Sequence, residues 1–330
     1  MTETVKAQAL VVPLPGDASV LRVHEREIPP PGVGQVRVQV AAVGVNFIDT
    51  YQRSGAYPVA TPFVLGMEGA GTVESVGEGV SEVAPGDRVA WAMQLGSAAS
   101  VAVLPAQALV PVPDPVELDV AAAAMLQAMT AHFLVHDTYP CDEGTIALVH
   151  AAAGGVGQLL VQLLKAQGST VVATAGSDAK LEIARRRGAD HVIGYHEHDA
   201  ESLAAAVREA AGRGVDVVYD GVGRSTFDAS LSSLRPRGLM VLFGAASGPV
   251  PPVDPQRLNA GGSLYLTRPT LGHHIADRDQ LLRRSAEVFE LIGSGRLEIA
   301  IDSRRPLTEA RAAYDALEGR RTTGKVLLVP

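Results

Sequence analysis

One cysteine, one tryptophan and an aromatic share of 4% are all that 330 residues hold of these side chains. With Cys141 alone, no disulfide can close within the chain, which fits a reducing compartment, and no four-cysteine zinc site can form. Positive charge is short as well. Lys and Arg number 28 against 36 Asp and Glu, and the net charge of −8 argues against nucleic-acid binding through a broadly basic surface. A long unbroken apolar run is also missing. The most apolar window, 120–135, is interrupted by Gln127, Thr130 and His132 and reads as a buried helix, not a membrane span. The opening Met1-Thr-Glu-Thr-Val-Lys6 has no basic-then-apolar signal pattern, so a cytoplasmic protein without a membrane partner is expected. What abounds is small and aliphatic. Hydrophobic residues make up 47% of the chain, enough for cores of Ala, Val and Leu, and the length suits about two domains.

Period-2 alternation marks the first third. Val36, Val38 and Val40 alternate with Arg37 and Gln39, Val73 to Val76 is a second short strand, and Pro85-Gly86-Asp87 turns into Arg88-Val-Ala-Trp91. This pattern predicts a compact, barrel-like β-rich domain. From about 126 to 268 strands and helices alternate. The expected elements are strands 146–149, 170–174, 191–193, 215–219, 239–243 and 263–267, with helices from 156 toward Gly168 and over 178–187, 201–211 and 226–234. Repeated βα units imply an α/β fold with a doubly wound parallel sheet and a ligand at the carboxyl ends of its strands. Helices over 280–292 and 307–317 and a strand over 325–329 follow. They are expected to return to the first domain, giving 1–125 with 269–330 as one discontinuous domain and 126–268 as the other.

The stretch Ile146-Ala-Leu-Val-His-Ala-Ala-Ala-Gly-Gly-Val-Gly157 carries the clearest chemistry. A buried strand leads through Gly154, Gly155, Val156 and Gly157 into a helix with Leu159, Leu160, Leu163 and Leu164 on one face. The free N–H groups and positive dipole end of such a helix face an anion, and glycines let the backbone come close. A dinucleotide is therefore expected. Ala152 stands where a strict G-x-G-x-x-G would have its first glycine, and glycine turns also occur in folds that bind nothing.

The whole chain resembles the zinc-free quinone oxidoreductases, the ζ-crystallin-like branch of the medium-chain dehydrogenase/reductases. The matching segments are Gly44-Val-Asn-Phe-Ile-Asp-Thr-Tyr51, Arg53-Ser-Gly-Ala-Tyr57, Ala84-Pro-Gly-Asp-Arg-Val89, His150 to Gly157, Val218-Tyr-Asp-Gly-Val-Gly223, Gly238-Leu-Met-Val-Leu-Phe-Gly244 and Leu264-Tyr-Leu-Thr-Arg-Pro269. The resemblance implies a GroES-like catalytic domain beside a Rossmann domain, NADPH as cofactor, and a quinone or other electron-poor acceptor. Asn46 and Met67-Glu68 stand where a zinc enzyme of this fold would have Cys and His-Glu, so no metal is expected.

By the same resemblance Gly176, Ser177, Lys180, Tyr195 and Arg320 form the pocket for the 2′-phosphate. Thr130 touches the nicotinamide, and Phe243, Gly244, Leu266 and Arg268 border the cofactor. Asn46, Tyr51 and Tyr57 line the acceptor cleft, where an amide and two phenols can donate hydrogen bonds. The residues alone leave other readings open. Asp178 has the spacing of an NAD-type carboxylate but also suits a first helical turn. Lys180 suits a solvated helix face, the tyrosines suit packing, and Asn46 beside Gly44 suits a turn. Ala245-Ala246 replaces the polar pair common in the family, and Gly272-His-His-Ile275 reads as an exposed loop. Two other functions remain open. One is reduction of an activated C=C bond in an enal or enone, and the other is crystallin-like NADPH binding with little catalysis. Strand 263–267 is expected at a sheet edge, where pairing with a second copy would give a homodimer.

Overall fold

The computed structural model describes residues 3–330. The chain divides into two compact units, Met1–Met129 with His274–Pro330 and Thr130–His273. The first stretch runs β1 (Val5–Val12), β2 (Arg22–Ile28), β3 (Gln35–Gly44), α1 (Phe47–Arg53), β4 (Phe63–Val64), β5 (Glu68–Val76), β6 (Arg88–Ala92), β7 (Val101–Pro105), β8 (Val110–Pro111) and α2 (Leu118–Phe133). A π-helical turn, Leu134–Thr138, prolongs α2. The combined segment Leu118–Thr138 is long and apolar enough to cross a membrane by length and composition, but 67% of its most apolar window is buried in the protein.

In the unit Thr130–His273, strands β9 (Ile146–Val149), β10 (Thr170–Ala175), β11 (His191–Gly194), β12 (Val215–Asp220), β13 (Leu234–Leu242) and β14 (Tyr265–Thr267) form one parallel sheet. Its order is β11-β10-β9-β12-β13-β14. The order reverses between β9 and β12, which opens a crevice at their carboxyl ends. The connecting helices are α3 (Gly155–Ala166), α4 (Asp178–Arg186), α5 (Ala200–Ala211), α6 (Phe227–Ser233), α7 (Gln256–Ala260) and α8 (Leu271–His274). Every residue of β12 is buried, as a central parallel strand covered on both faces requires. The face of α3 made by Leu159, Leu160, Leu163 and Leu164 is buried against this sheet's core. Helix α5 starts on an Asp199–Ser202 capping box and stops at Gly212, whose φ of 70° suits glycine.

One boundary departs from the periodicity. Strand β13 begins at Leu234, not at 239, because Leu234 already pairs with Val215. A register shift follows, and Arg237 takes a φ of 60°. Helix α6 is correspondingly cut short at Ser233.

The chain then adds α9 (Arg278–Gly293), β15 (Ile301–Pro306), α10 (Ala310–Glu318) and β16 (Lys325–Val329). Strand β16 pairs antiparallel with β3, and β15 pairs parallel with β16. These returning strands complete a seven-stranded sheet, β15-β16-β3-β5-β6-β8 with β7 also on β3, beside a three-stranded sheet β2-β1-β4. Trp91, Val36, Val38, Leu65, Tyr314 and Leu328 fill the core of this unit. Neither α1 nor β15 shows in the hydrophobic pattern. A seven-residue helix is too short for a 3.6-residue period, and β15, Ile-Asp-Ser-Arg-Arg-Pro, is polar because it lies at an edge. The expected helix 307–317 is a 3₁₀ turn, Leu307–Glu309, followed by α10.

Candidate functional site

The turn after β9 is built around one left-handed alanine. Ala151 has φ 50°, and its carbonyl accepts the Gly154 N–H at 2.8 Å. Gly154 then caps α3 with an extended backbone, φ −76° and ψ 170°. The first bond of α3 is Gln158 N–H to Gly154 O, 2.9 Å. The N–H groups of Gly155, Val156 and Gly157 precede it and have no carbonyl within the helix, an arrangement chemically able to receive an anion. Gly157 is dictated by contact. A Cβ there would lie 2.3 Å from Ala151 O and 2.8 Å from Ala152 Cα. Ala152 is tolerated at the first fingerprint position because the left-handed residue is its predecessor, and its N–H donates to Thr174 O at 3.0 Å.

At the end of β10, Gly176 is exposed and Ser177 precedes α4 with φ −165°. The Ser177 hydroxyl does not cap the helix. Asp178 is the first residue of α4 and is exposed, where its charge suits the helix dipole. Lys180 follows, half-buried. Tyr195 opens the 3₁₀ turn after β11. Its phenol oxygen accepts the Ala151 N–H at 2.6 Å, so it reaches the glycine turn. Arg320 belongs to the other unit, just past α10, exposed and with φ 54°.

The ends of β12 and β13 are pressed together. A Cβ on Gly221 would lie 2.9 Å from the Phe243 ring, and one on Gly244 would lie 2.5 Å from Gly221 O. Phe243 N–H donates to Asp220 O at 2.9 Å. Leu266 is half-buried on β14, beside Met240 in the ladder, and Arg268 donates to Leu242 O at 2.8 Å. Thr130 is half-buried in α2.

A buried polar cluster that the sequence did not suggest lies beneath the turn. His150 is 1% exposed, with Nδ1 2.7 Å from Thr174 Oγ1 and Nε2 3.0 Å from Ser230 Oγ. Ser230 donates to Asp220 Oδ2 at 2.8 Å, so it accepts from His150 Nε2–H, and Nδ1 accepts from Thr174. Burial holds the imidazole below its ordinary pKa, and the Asp220 charge only partly opposes that. His150 is neutral.

In the discontinuous unit, Asn46 stands just before α1 and is 4% exposed. Its amide, expected to donate to an acceptor, is engaged within the unit. Nδ2 donates to Glu68 Oε1 at 2.6 Å and to Gly44 O at 3.2 Å, and Oδ1 accepts from Lys325 Nζ at 2.7 Å. Lys325 also forms an ion pair with Glu68, and Glu68 Oε2 accepts the Leu126 N–H at 2.6 Å. Both Lys325 and Glu68 are fully enclosed. Asp49 lies next to them, accepting from Asn46 N–H at 2.8 Å and Tyr314 OH at 2.9 Å. Burial above all pushes its carboxyl up to about 7. The one sequence cue to this cluster was a lysine opening an otherwise apolar terminal strand, Lys325-Val-Leu-Leu-Val329.

Tyr51 and Tyr57 do come together. Their ring centroids are 5.2 Å apart, Tyr57 N–H donates to Tyr51 O at 2.9 Å, and Tyr57 is 43% exposed. Phe47, one helical turn before Tyr51, extends the aromatic surface at 6.5 Å. A zinc ion would not suit the neighbouring residues. Asn46 and Met67 are poor ligands, and the Glu68 carboxylate already holds an ammonium. Among the described residues no three His, Cys, Asp or Glu side chains converge as metal ligands.

Residues 32–114 match the alcohol dehydrogenase GroES-like domain family, and residues 155–287 match the zinc-binding dehydrogenase family. The chain is 43% identical over 318 residues to a quinone oxidoreductase of Pseudomonas aeruginosa, covering 96% of this chain and 97% of that protein. It is 40% identical over 316 residues to a 2-haloacrylate reductase of Burkholderia, covering 93% and 94%. The crystal structure of Escherichia coli quinone oxidoreductase complexed with NADPH superposes with a TM-score of 0.95 at 40% identity, covering 98% of this chain and 100% of that one.

Proposed function

The chain belongs to the quinone oxidoreductases of the medium-chain dehydrogenase/reductase superfamily, and from that premise we propose that it is an NADPH-dependent quinone reductase working without zinc. The observation that carries this reading is the likeness, over nearly the whole chain, to a quinone oxidoreductase complexed with NADPH. The unit Thr130–His273 is the cofactor domain, and Met1–Met129 with His274–Pro330 is the catalytic domain.

Bound NADPH supplies the hydride. The N–H groups of Gly155, Val156 and Gly157, behind Gly154, receive the diphosphate. Gly176 leaves room for the 2′-phosphate, and Ser177 and Lys180 offer it a hydroxyl and a cation, with the Tyr195 ring alongside. Thr130, Phe243, Gly244, Leu266 and Arg268 border the rest of the cofactor. Tyr51 and Tyr57 present phenols and ring faces to a flat acceptor. As the ring gains the hydride, negative charge arrives on a quinone oxygen, where a phenol donor stabilises it. Water delivers the proton that completes the hydroquinone. Asn46, with its amide engaged, acts by positioning: it ties β3 and the start of α1 to Glu68 and Lys325.

A second acceptor class has its own support. The 2-haloacrylate reductase relative acts, by its name, on an activated alkene, and the same hydride can add to a polarised C=C bond, with Tyr57 giving the proton. The working form is a cytoplasmic homodimer paired through β14, whose Tyr265 is 60% exposed at the sheet edge. A monomeric mass by light scattering would refute the dimer.

The decisive assay is NADPH oxidation at ~340 nm, the nicotinamide absorbance band, with 1,4-benzoquinone, a 2-alkenal or no acceptor, repeated with NADH. Fast quinone-dependent loss with NADPH is expected. Loss with the alkenal alone would transfer the reading to a double-bond reductase. Binding without turnover would leave a crystallin-like role.

A further inference from the structure

The glycine turn contains a strained residue that needs support from outside the turn. Ala151 takes φ 50°, a region that disfavours a Cβ-bearing residue. It lies past the end of the β9 ladders and before α3, so its N–H serves neither. Instead it donates to the Tyr195 phenol oxygen, 2.6 Å away and 44 residues later in the chain.

Tyr195 is itself held in place. Its ring lies nearly parallel to the His150 imidazole, with centroids 6.0 Å apart and planes at 22°. His150 cannot turn, because Thr174 and Ser230 hold its two nitrogens and its own N–H donates to Tyr219 O at 3.1 Å. The tyrosine ring also passes Gly176, where a Cβ would lie 3.8 Å from Cδ2. The phenol thus runs from the pocket beside Gly176 to the turn that starts α3.

We propose that Tyr195 is a positioning residue for the diphosphate turn: by accepting the Ala151 N–H it holds the left-handed start of the turn and so serves every dinucleotide, with or without a 2′-phosphate. This rests on the dinucleotide reading above but differs from it in consequence. A contact to the 2′-phosphate alone would affect only NADPH. Support of the turn affects NADPH and NADH alike, since both carry the diphosphate.

The test is fluorescence titration of NADPH and NADH into the full-length wild type, Tyr195→Phe, Lys180→Ala and the double variant Tyr195→Phe/Ala151→Gly. Tyr195→Phe keeps the ring stack and removes only the acceptor. It should weaken both nucleotides by a similar factor, about fivefold to tenfold, the effect of one lost hydrogen bond. Lys180→Ala should weaken NADPH alone. Glycine at 151 takes the left-handed backbone without strain, so the double variant should bind both within about twofold of wild type. Loss of NADPH binding by Tyr195→Phe with NADH unchanged would overturn the proposal, as would failure of Ala151→Gly to restore binding. A wild type that binds both nucleotides, with the Phe variant indistinguishable from it, overturns this proposal alone. A wild type that binds neither overturns the dinucleotide reading and this proposal with it.

Discussion

The Asp220 cluster of one unit and the Glu68 cluster of the other are stabilised by opposite means. At the end of β12, Asp220 is a buried carboxylate without a cation in hydrogen-bonding contact. It accepts from Val222 N–H at 2.7 Å, Gly223 N–H at 2.9 Å, Thr226 Oγ1 at 2.7 Å and Ser230 Oγ at 2.8 Å. At the start of β5, Glu68 faces the Lys325 ammonium. Around it Asp49 Oδ1, Gln52 Oε1 and Arg53 Nη1 are buried and find no hydrogen-bond partner. The difference lies in the backbone. Asp220 precedes a turn into α6, where N–H groups are unclaimed, and those donors stabilise a lone anion. Glu68 begins a strand whose backbone is committed to β6 and β3, so its charge needs a cation brought from the far end of the chain.

Removing that cation should have the largest effect. Lys325→Met leaves the buried Glu68 carboxyl without its cation and should cost about 3–5 kcal/mol in urea unfolding, most of it regained when Glu68→Gln is added. A loss no larger than that of a surface substitution would break the comparison. A second lysine sharpens it. Lys180 is half-buried at the proposed ligand site, so Lys180→Ala should shift the urea midpoint far less than Lys325→Met while weakening NADPH relative to NADH by about 1.5–3 kcal/mol. Equal loss for both nucleotides would reject the 2′-phosphate assignment.

The clusters should also respond to pH with opposite signs. Native Asp49, raised to about 7, keeps a proton that the unfolded chain gives up from about pH 4. Its contribution is full below that value and is lost as pH rises to about 7, so the stability difference between wild type and Asp49→Asn should fall across this window and level off above it. Native His150, held below 6.5, refuses a proton that the unfolded chain accepts. Its contribution is full above about 6.5 and is lost on acidification, and His150→Asn should remove that loss. Each slope is at most about 1.4 kcal/mol per pH unit. Urea midpoints of the three proteins between about pH 4 and 8 decide it. Variants that tilt the same way would end the contrast. The smallest effect belongs to Tyr57→Phe, an exposed phenol outside both clusters. Quinone turnover should drop about threefold to tenfold with NADPH affinity and stability intact, and an unchanged rate would remove this phenol from the chemistry.

Much of this was legible in the residues, and unevenly so. The period-2 valines of β3, the leucine face of α3 and the glycines after β9 are local signals, and each produced the expected element. Short or polar elements such as α1 and β15 leave no such signal. Asn46 was read as an amide facing an acceptor, and Tyr195 as a phenol facing a phosphate. Each is a sound reading of the side chain, but neither could anticipate Lys325 at Asn46 Oδ1 or Ala151 N–H at the Tyr195 phenol.

The sequence by itself determined the α/β class, the alternation that makes a parallel sheet, the glycine turn that opens α3 and the family, because periodicity, glycine placement and ordered motifs act over neighbouring residues. Only the tertiary structure decided which hydrogen-bonding groups are engaged. Lys325 meets Asn46 across 279 positions of chain, and Tyr195, after β11, meets Ala151, after β9, across the intervening strand β10. Such pairings follow from strand order and register, which are settled when the whole core packs and are written in no single stretch of the chain.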